Sequence, residues 1–570
     1  MGLQPESQGP RAWIRELTFS DGTTVSLNDD DIVVLVGPNN SGKSRALRDI
    51  QEGAKVTALP EGVVVTSLGI QTEGNEDELA EWLERNSRKN MHNPTNPTYT
   101  RLGASVARSQ ATSWWSSPTG GLNDLARFFV YLLTTDERLS AASPAPNIAL
   151  TTDPLTHPIH YMQMNDEIEA KISSYFHEAF GEDLVVHRNA GSHVPLHCGK
   201  RPVPRDGEDR VSVSYLEELE KLPTLHTQGD GMRSFVGVIL HTLAVDRTVV
   251  LIDEPEAFLH PPQARLLGQM IVKEAPRRRQ LFLATHSGDF LRGLLDQNSA
   301  RVRVLRVQRN GSVNPIKELD SDGIESVWGD PILRYSNVLD GVFHNKVVLC
   351  ESDSDCRFYA ALMDATLDVG GDARREHVMF LHCGGKARMP VVVDSLRNLD
   401  VPVRVVTDFD VLNDERPLKD IVQALGGDWT ELKGQWRQVY CAIQDKKPEI
   451  GTSEVAEQIR AILDSVTDPT LPKEAKANIQ SVLRKSTPWS TAKSVGKAYV
   501  PSGDSTLAFE DLRVKLEKLG LFVVPVGELE GFARSVAGHG PKWVNGVIGK
   551  DLERDLELRE ARDFIATVLE

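Results

Sequence analysis

Short apolar runs separated by amphipathic stretches set the order of the chain. Residues 12–36 alternate and then run apolar (WIRELTF, TTVSL, IVVLVG), which predicts two or three strands, the last of them buried, with a helix beginning near Gly42. VVVTSLGI at 63–70 predicts a further strand. Residues 76–140 carry a mainly helical pattern interrupted by a polar loop around 86–120. IEAKISSYFHEAFG (168–181) predicts an amphipathic helix closed by glycine. Residues 187–210 are rich in Gly, Pro and charge and predict a loop or small hairpin. From 211 the pattern alternates: RSFVGVILHTLAV helical, TVVLID a buried strand, PQARLLGQMIVKEA helical, QLFLATH and RVRVLRVQ strands. This order predicts an α/β fold with a largely parallel sheet.

The pattern lapses around 320–345, which places the domain boundary there. A second α/β series follows: KVVLCE strand, CRFYAALMDAT helix, HVMFLHC strand, ARMPVVVDSLRNL helix, VPVRVVTDFD strand. Residues 413–505 read as helical and polar, LFVVPVGELEGF returns to a strand, and 550–570 reads as a charged terminal helix. The expected organisation is therefore a first domain over 1–335 with a helical insertion at about 75–210, and a second over 336–570 with a helical insertion at about 413–505.

At 570 residues the chain is too long for one ordinary core, in keeping with two domains. Its 64 Lys+Arg against 81 Asp+Glu give a formal charge of −17, which excludes a uniformly basic nucleic-acid coat but leaves a locally basic groove open. No apolar stretch approaches the ~20 residues of a membrane span, and the first residues lack a signal-peptide core. The five cysteines (Cys198, Cys350, Cys356, Cys383, Cys441) are odd in number and form no C-x-x-C pair, which argues against zinc ribbons and a disulfide framework and for a reducing, cytoplasmic setting.

Gly37-Pro38-Asn39-Asn40-Ser41-Gly42-Lys43-Ser44 fits G-x-x-x-x-G-K-[ST] between a predicted strand and a predicted helix. Its glycines let backbone amides approach phosphate at a helix N-terminus. Lys43 is assigned to the β- and γ-phosphates of ATP and Ser44 to Mg²⁺. The strand VVLIDEPE delivers Asp253 to the metal and Glu254 to the attacking water, and FLATHS places His286 where it can sense the γ-phosphate. GPNNSGKS, IDEPEAFLHP and ATHS in this order resemble the ATP-binding-cassette branch that includes chromosome-maintenance and recombination ATPases. That resemblance implies two heads sandwiching ATP, with a signature loop from one completing the site of the other. The matching segment is Gln228–Ser234, with Gly229 and Gly231 at the nucleotide, and it departs from the usual serine before glycine.

The second half carries different chemistry. Glu351 ends the strand KVVLC, Asp355 follows one helical turn later, and Asp408 and Asp410 end VRVVTDFD on one side of the strand. Carboxylates gathered at the ends of parallel strands repel one another unless a divalent cation holds them, and oxygen-only ligands select Mg²⁺ or Mn²⁺. Glu528 and Glu530 in GELEGF supply a second set of ligands. Lys542, and also Lys386, are candidates for phosphate or transition-state contact, with Lys542 preferred. This order of Glu and Asp-x-Asp resembles the Toprim domain, with Ser352 where that family often has glycine.

A cassette ATPase followed by Toprim resembles the OLD (overcoming lysogenization defect) nuclease family and is similar to the nuclease subunit of the Gabija anti-phage system. The resemblance spans about 10–310 and 345–545. It implies a nucleotide-regulated, metal-dependent DNA endonuclease or nickase, a homo-oligomer joined at least through its ATPase heads, with a helicase or other defence partner. A non-cutting ATPase sensor whose Toprim half binds a partner or RNA is the alternative. Primase is disfavoured by the lack of a zinc motif, and topoisomerase by the lack of strand-passage domains or a marked tyrosine nucleophile.

Overall fold

A computed structural model describes residues 9–56, 58–59, 62–93, 95–101, 103–297, 299–319, 337–367, 378–446, 451–466, 468, 470–485 and 487–570. The chain divides into two compact units, Met1–Ser321 and Asp322–Glu570. The boundary read from the sequence, at 335/336, lies outside the described residues.

The first unit is built on a six-stranded sheet with the order β16-β15-β3-β14-β13-β8. Its strands are β3 (Ile32–Val36), β8 (Val130–Leu133), β13 (Val249–Asp253), β14 (Gln280–Ala284), β15 (Val302–Val307) and β16 (Ile316–Glu318). All neighbours run parallel except β16, which closes one edge antiparallel to β15. Every side chain of β3 and β14 is buried, as expected for parallel strands covered on both faces, and this explains why they read as continuous apolar runs. Strand β1 (Arg11–Phe19) instead alternates buried and exposed positions and pairs antiparallel with β2 (Thr24–Ser26) and β4 (Val65–Glu73). A two-faced environment therefore leaves its period of two visible.

The stretch expected as a helical insertion over 75–210 is mixed. It holds the antiparallel sheet β5 (Arg88–Asn90), β6 (Thr98–Arg101) and β7 (Ala104–Ala107) in the span expected as a loop. It also holds the pairs β9 (Ala145–Pro146) with β11 (His193–Val194), and β10 (Asp183–Val186) with β12 (Leu196–Gly199). The run FFVYLLTT, expected to be helical, contributes β8 to the main sheet beside β13. Pieces of two to four residues are too short to show a period, and tertiary pairing decided their state. Trp82 and Trp115 stack on Phe129 with ring centroids at 5.2 and 4.9 Å and pin this region to the core.

The second unit has a four-stranded, wholly parallel sheet, β18-β17-β19-β20, made of β17 (Lys346–Cys350), β18 (Val378–His382), β19 (Val403–Thr407) and β20 (Leu521–Val523). The span 413–505 is helical as expected, with helices including Glu415–Ala424, Trp429–Gln444 and Pro488–Val495. The terminal helix is shorter than the pattern implied, Arg559–Leu569, and it buries Ile565 and Val568 in the core that includes Tyr359. No helix among the described residues is long and apolar enough to cross a membrane.

Candidate functional site

Two sites emerge at strand ends, one in each unit. In the first, β3 runs into Gly37, whose φ of +144° and approach to the carbonyl of Val307 leave no room for a side chain: a Cβ would lie 2.1 Å from that oxygen. The loop Gly37–Gly42 then feeds the helix Lys43–Gly53. Lys43 Nζ donates to the carbonyls of Gly37 and Pro38 at 2.8 and 2.9 Å, so the loop holds its own ammonium at its centre. Burial pulls the Lys43 pKa down, against the pull of Glu254, Asp253 and Glu256. Ser44 Oγ donates to Asp253 Oδ1 at 3.0 Å, joining the end of the P-loop to the end of β13. Burial, with Glu254 adding to it, raises the Asp253 pKa; a bound cation would remove that penalty.

His286, after β14, lies 3.3 Å from Glu254 Oε1 through Nδ1 and 3.7 Å from Glu256 Oε1. Glu256 was not singled out from the sequence. It is buried, accepts from Thr285 Oγ1 at 2.7 Å and from the His286 N–H at 3.3 Å, and so fixes the turn that carries His286. Gly229 caps the helix Asp230–Ile239, and Gly231 sits in its first turn. Gly229 and Asp230 are exposed, and no hydrogen bond or ion pair among the described residues joins Gly229–Gly231 to Gly37–Ser44.

In the second unit the parallel sheet brings the carboxyl ends of β17, β19 and β20 to one edge. Ligand oxygens of Glu351, Asp408 and Asp410 lie within 4.8 Å of one another, and so do ligand atoms of Glu528, Glu530 and His539. One cleft of about 560 Å³ is lined by Glu351, Asp355, Asp408, Glu528 and Glu530. Glu351 Oε1 accepts from the Asp408 N–H at 3.0 Å, tying β17 to β19. Asp355 belongs to neither three-ligand group: its Oδ2 accepts from the N–H and Oγ of Ser352 at 2.8 and 3.0 Å and closes the turn that starts the helix Asp353–Leu367. The serine where the family often has glycine therefore anchors Asp355.

The charge balance is specific. Lys493, on the helix Pro488–Val495, pairs with Asp408 at 3.1 Å and Asp410 at 3.2 Å, and Lys386 pairs with Asp410 as well. Two ammonium groups thus face three carboxylates. Burial works against Asp410 ionisation, but the two lysines outweigh it and hold its pKa below the usual range. Burial and then Asp408 push Glu351 up to about 7, so of these three carboxylates Glu351 keeps its proton to a higher pH than an ordinary carboxyl does. Burial pushes Asp355 up to about 6 and raises Asp408 and Glu528 as well. This is the donor set and the electrostatic deficit that a hard divalent cation relieves.

Lys542 lies elsewhere than expected in this balance. It is exposed in the first turn of the helix Pro541–Ile548 and forms no ion pair with these carboxylates among the described residues. The ammonium groups paired with them are those of Lys386 and Lys493. No local pattern marks Lys493, because it comes 83 residues after Asp410 and is brought to the cleft only by the helical span between β19 and β20. His539, 3.4 Å from Glu530 Oε1, was also missed; an exposed histidine in a glycine-rich turn has no pattern of its own.

Comparison with known proteins places both units. Residues 126–292 match the family described as "AAA domain, putative AbiEii toxin, Type IV TA system", and residues 342–410 match "Overcoming lysogenization defect protein-like, TOPRIM domain". The first match covers Asp253, Glu254 and His286; the second covers Glu351, Asp355, Asp408 and Asp410. An OLD nuclease of Thermus scotoductus is 31% identical over 169 residues, which is 28% of this chain and 31% of that protein. The chain thus spans under a third of that relative's length. An uncharacterized protein of Methanocaldococcus jannaschii, MJECL11, is 32% identical over 97 residues, covering 16% of this chain and 84% of that one. Among solved structures, the Smc head bound to the C-winged helix domain of ScpA aligns at 11% identity and a TM-score of 0.32, over 54% of this chain and 98% of that one. The chain thus carries a segment matching an AAA domain, followed by a segment matching an OLD-like Toprim domain.

Proposed function

We propose that the protein is a nucleotide-regulated, divalent-metal-dependent DNA endonuclease or nickase of anti-phage defence, cutting at the Toprim cleft and binding and hydrolysing ATP at the P-loop. The observation that carries this reading is that two ligand groups, Glu351/Asp408/Asp410 and Glu528/Glu530/His539, meet at one cleft at the ends of parallel strands, which Glu351, Asp408, Glu528 and Glu530 line. When bound there, Mg²⁺ or Mn²⁺ supplies Lewis-acid polarisation of the phosphodiester and stabilises charge on the leaving oxygen. Glu351 and Asp408, linked through the Asp408 N–H, fix one ligand set; Gly540 N–H, donating to Glu530 Oε1 at 2.8 Å, orients the other. Lys386 and Lys493 hold positive charge beside the place where a phosphate would sit. In the ATPase unit, Lys43 would turn from its own loop to the nucleotide phosphates, Ser44 and Asp253 would hold Mg²⁺, and Glu254 would orient the attacking water. The segment Gly229–Gly231, exposed at Gly229 and Asp230 and without a hydrogen bond or ion pair to its own P-loop among the described residues, is left for the nucleotide of a second copy.

The test is nicking of supercoiled plasmid with Mg²⁺ or Mn²⁺, with and without ATP. Metal-dependent conversion to the open circle is expected, and EDTA is expected to stop it. Nucleotide binding with no cleavage of any DNA topology by either metal would overturn the nuclease reading in favour of the sensor.

A pH dependence follows from Glu351. Its carboxyl holds a proton more tightly in the folded protein (about 7) than at its ordinary 4.5, so ionising it costs fold stability progressively as pH rises through that window. A cation on the ionised carboxylate removes the cost. The melting-temperature gain on adding Mg²⁺ is therefore expected to grow as pH rises from about 5 to 7, to level off above that, and to be flattened in Glu351→Gln. A gain that does not vary with pH in the wild type would contradict this.

A further inference from the structure

We propose that Arg138 is a positioning residue of the ATPase site, holding the backbone of Glu254 in its left-handed conformation and linking it to the helix that begins with Gly229–Gly231. The inference rests on the reading of Glu254 as the water-orienting carboxylate. Arg138 lies in the short helix Thr135–Ser140 directly after β8 and is completely buried, one of the largest fully buried side chains in the chain. Arginine is rarely buried without a specific partner. Its Nη1 donates to the carbonyl of Glu254, and its Nη2 to Thr135 Oγ1 at 2.9 Å. It also faces the carboxylates of Glu256, Asp253 and Glu254, so its charge sits against the whole acidic end of β13.

Glu254 needs such support. Its φ is +48°, a region that non-glycine residues seldom occupy and that concentrates at functional sites where surroundings enforce it. Three hydrogen bonds hold its backbone here: its N–H donates to the Ala284 carbonyl at 2.8 Å, and its carbonyl accepts from Arg138 and, within the turn, from the Ala257 N–H at 2.9 Å. The first ties it to β14, the strand before His286; the second ties it to the Thr135–Ser140 helix. That conformation brings Oε1 to 3.3 Å from His286 Nδ1.

The same arginine meets the signature-segment helix, Asp230–Ile239. A Cβ on Gly237 would lie 2.3 Å from the Arg138 carbonyl oxygen, so the two helices touch backbone to backbone at this residue. Arg233 Nη2 adds a bond to the Leu139 carbonyl at 3.3 Å. At its other end the helix presses Gly231 onto the carbonyl of Phe258, where a Cβ would lie 2.7 Å away; Phe258 is a second left-handed residue, φ +70°, four positions after Glu254. A shift of the signature-segment helix therefore reaches the Glu254 turn from both sides, through Arg138 and through Phe258. Because packed backbones do not yield gradually, such a shift carries Glu254 with it.

The experiment is a double-mutant cycle on ATP hydrolysis with Arg138→Lys and Glu254→Gln, with nucleotide affinity measured separately. Lysine keeps the charge but loses the planar fork that reaches Glu254 and Thr135 together. Arg138→Lys is expected to lower kcat roughly 10- to 100-fold, as displacement of a reacting group does, with the nucleotide Kd unchanged. In the Glu254→Gln background it is expected to cost nothing further, because the group it positions is gone. Thr135→Val, which removes only the second anchor of the guanidinium, is expected to give a smaller kcat loss in the same pattern and serves if Arg138→Lys folds poorly. Losses that multiply in the double mutant, or a weakened Kd with kcat intact, would overturn the Arg138 proposal alone. Wild-type hydrolysis by Glu254→Gln would overturn the reading of Glu254 and this proposal with it.

Discussion

Asp408→Ala is expected to lower DNA cleavage at least about a thousandfold while leaving nucleotide binding and folding intact. The size follows from what Asp408 holds together. It is one of three ligands in its group, and its carboxylate is one of the two that orient Lys493. Removing a ligand forfeits several kcal/mol of charge stabilisation in the transition state, and about 4 kcal/mol is already a thousandfold in rate. Stability should move the other way. Burial raises the Asp408 pKa against the help of Lys493, so its ionised form is held in the metal-free fold at a cost, and Asp410 remains to pair with Lys493 and Lys386. The metal-free variant should therefore melt no lower than wild type, whereas the Mg²⁺-induced gain should shrink. Cleavage at the normal rate, or loss of cleavage that merely tracks unfolding, would show that Asp408 is not a metal ligand. Asp408→Asn, which keeps shape and loses charge, should behave like the alanine variant in cleavage and so separates charge from packing.

The way these sites sit in the fold explains how much of them the sequence discloses. Both lie at the carboxyl ends of parallel strands, and a strand buried on both faces is an apolar run that stops abruptly at its polar end. Asp253, Glu351 and Asp408 stand directly after or at the end of such runs, in β13, β17 and β19, and are legible for that reason. Arg138, Lys493 and His539 follow no such rule. Arg138 and Lys493 act from helices that the chain brings back from far along the sequence, Arg138 reaching Glu254 across 116 positions and Lys493 reaching Asp410 across 83, while His539 meets Glu530 from an irregular turn with no pattern of its own. Lys542 is the converse case, a residue singled out from the sequence that forms no ion pair with the cleft carboxylates among the described residues. A lysine after a glycine-rich turn looks available for phosphate, but nothing local distinguishes it from a solvated surface lysine, whereas Lys386 and Lys493 pair with the cleft's aspartates. The misread strands have a related cause. In β8, both neighbours of the pattern are apolar, so length and period do not separate strand from helix; the deciding contact is the parallel register with β13, Val249 opposite Val130.

Lys43→Ala is expected to weaken nucleotide binding about 10- to 100-fold, the second-largest effect. In the nucleotide-free loop the Lys43 ammonium is engaged by the Gly37 and Pro38 carbonyls, and burial lowers its pKa against three nearby carboxylates. The group is thus held charged and partly desolvated at the mouth of the helix Lys43–Gly53, where an anion is favoured. A charge-assisted bond from such a group to phosphate contributes about 1.5 to 3 kcal/mol, which corresponds to the expected loss. Ligand-linked stability gives a readout independent of turnover. At a nucleotide concentration 100 times the wild-type Kd, binding stabilises the wild type by about 2.7 kcal/mol; a variant weakened 10- to 100-fold would gain only about 1.4 to 0.4 kcal/mol. The Mg²⁺–ATP melting shift should therefore fall to about half or less in Lys43→Ala, and a directly measured Kd should rise in step. An unchanged Kd with an unchanged melting shift would show that Gly37–Ser44 is a turn and not a phosphate cradle. Asp408→Ala should bind ATP normally in the same assay, because the residues it perturbs belong to the other unit.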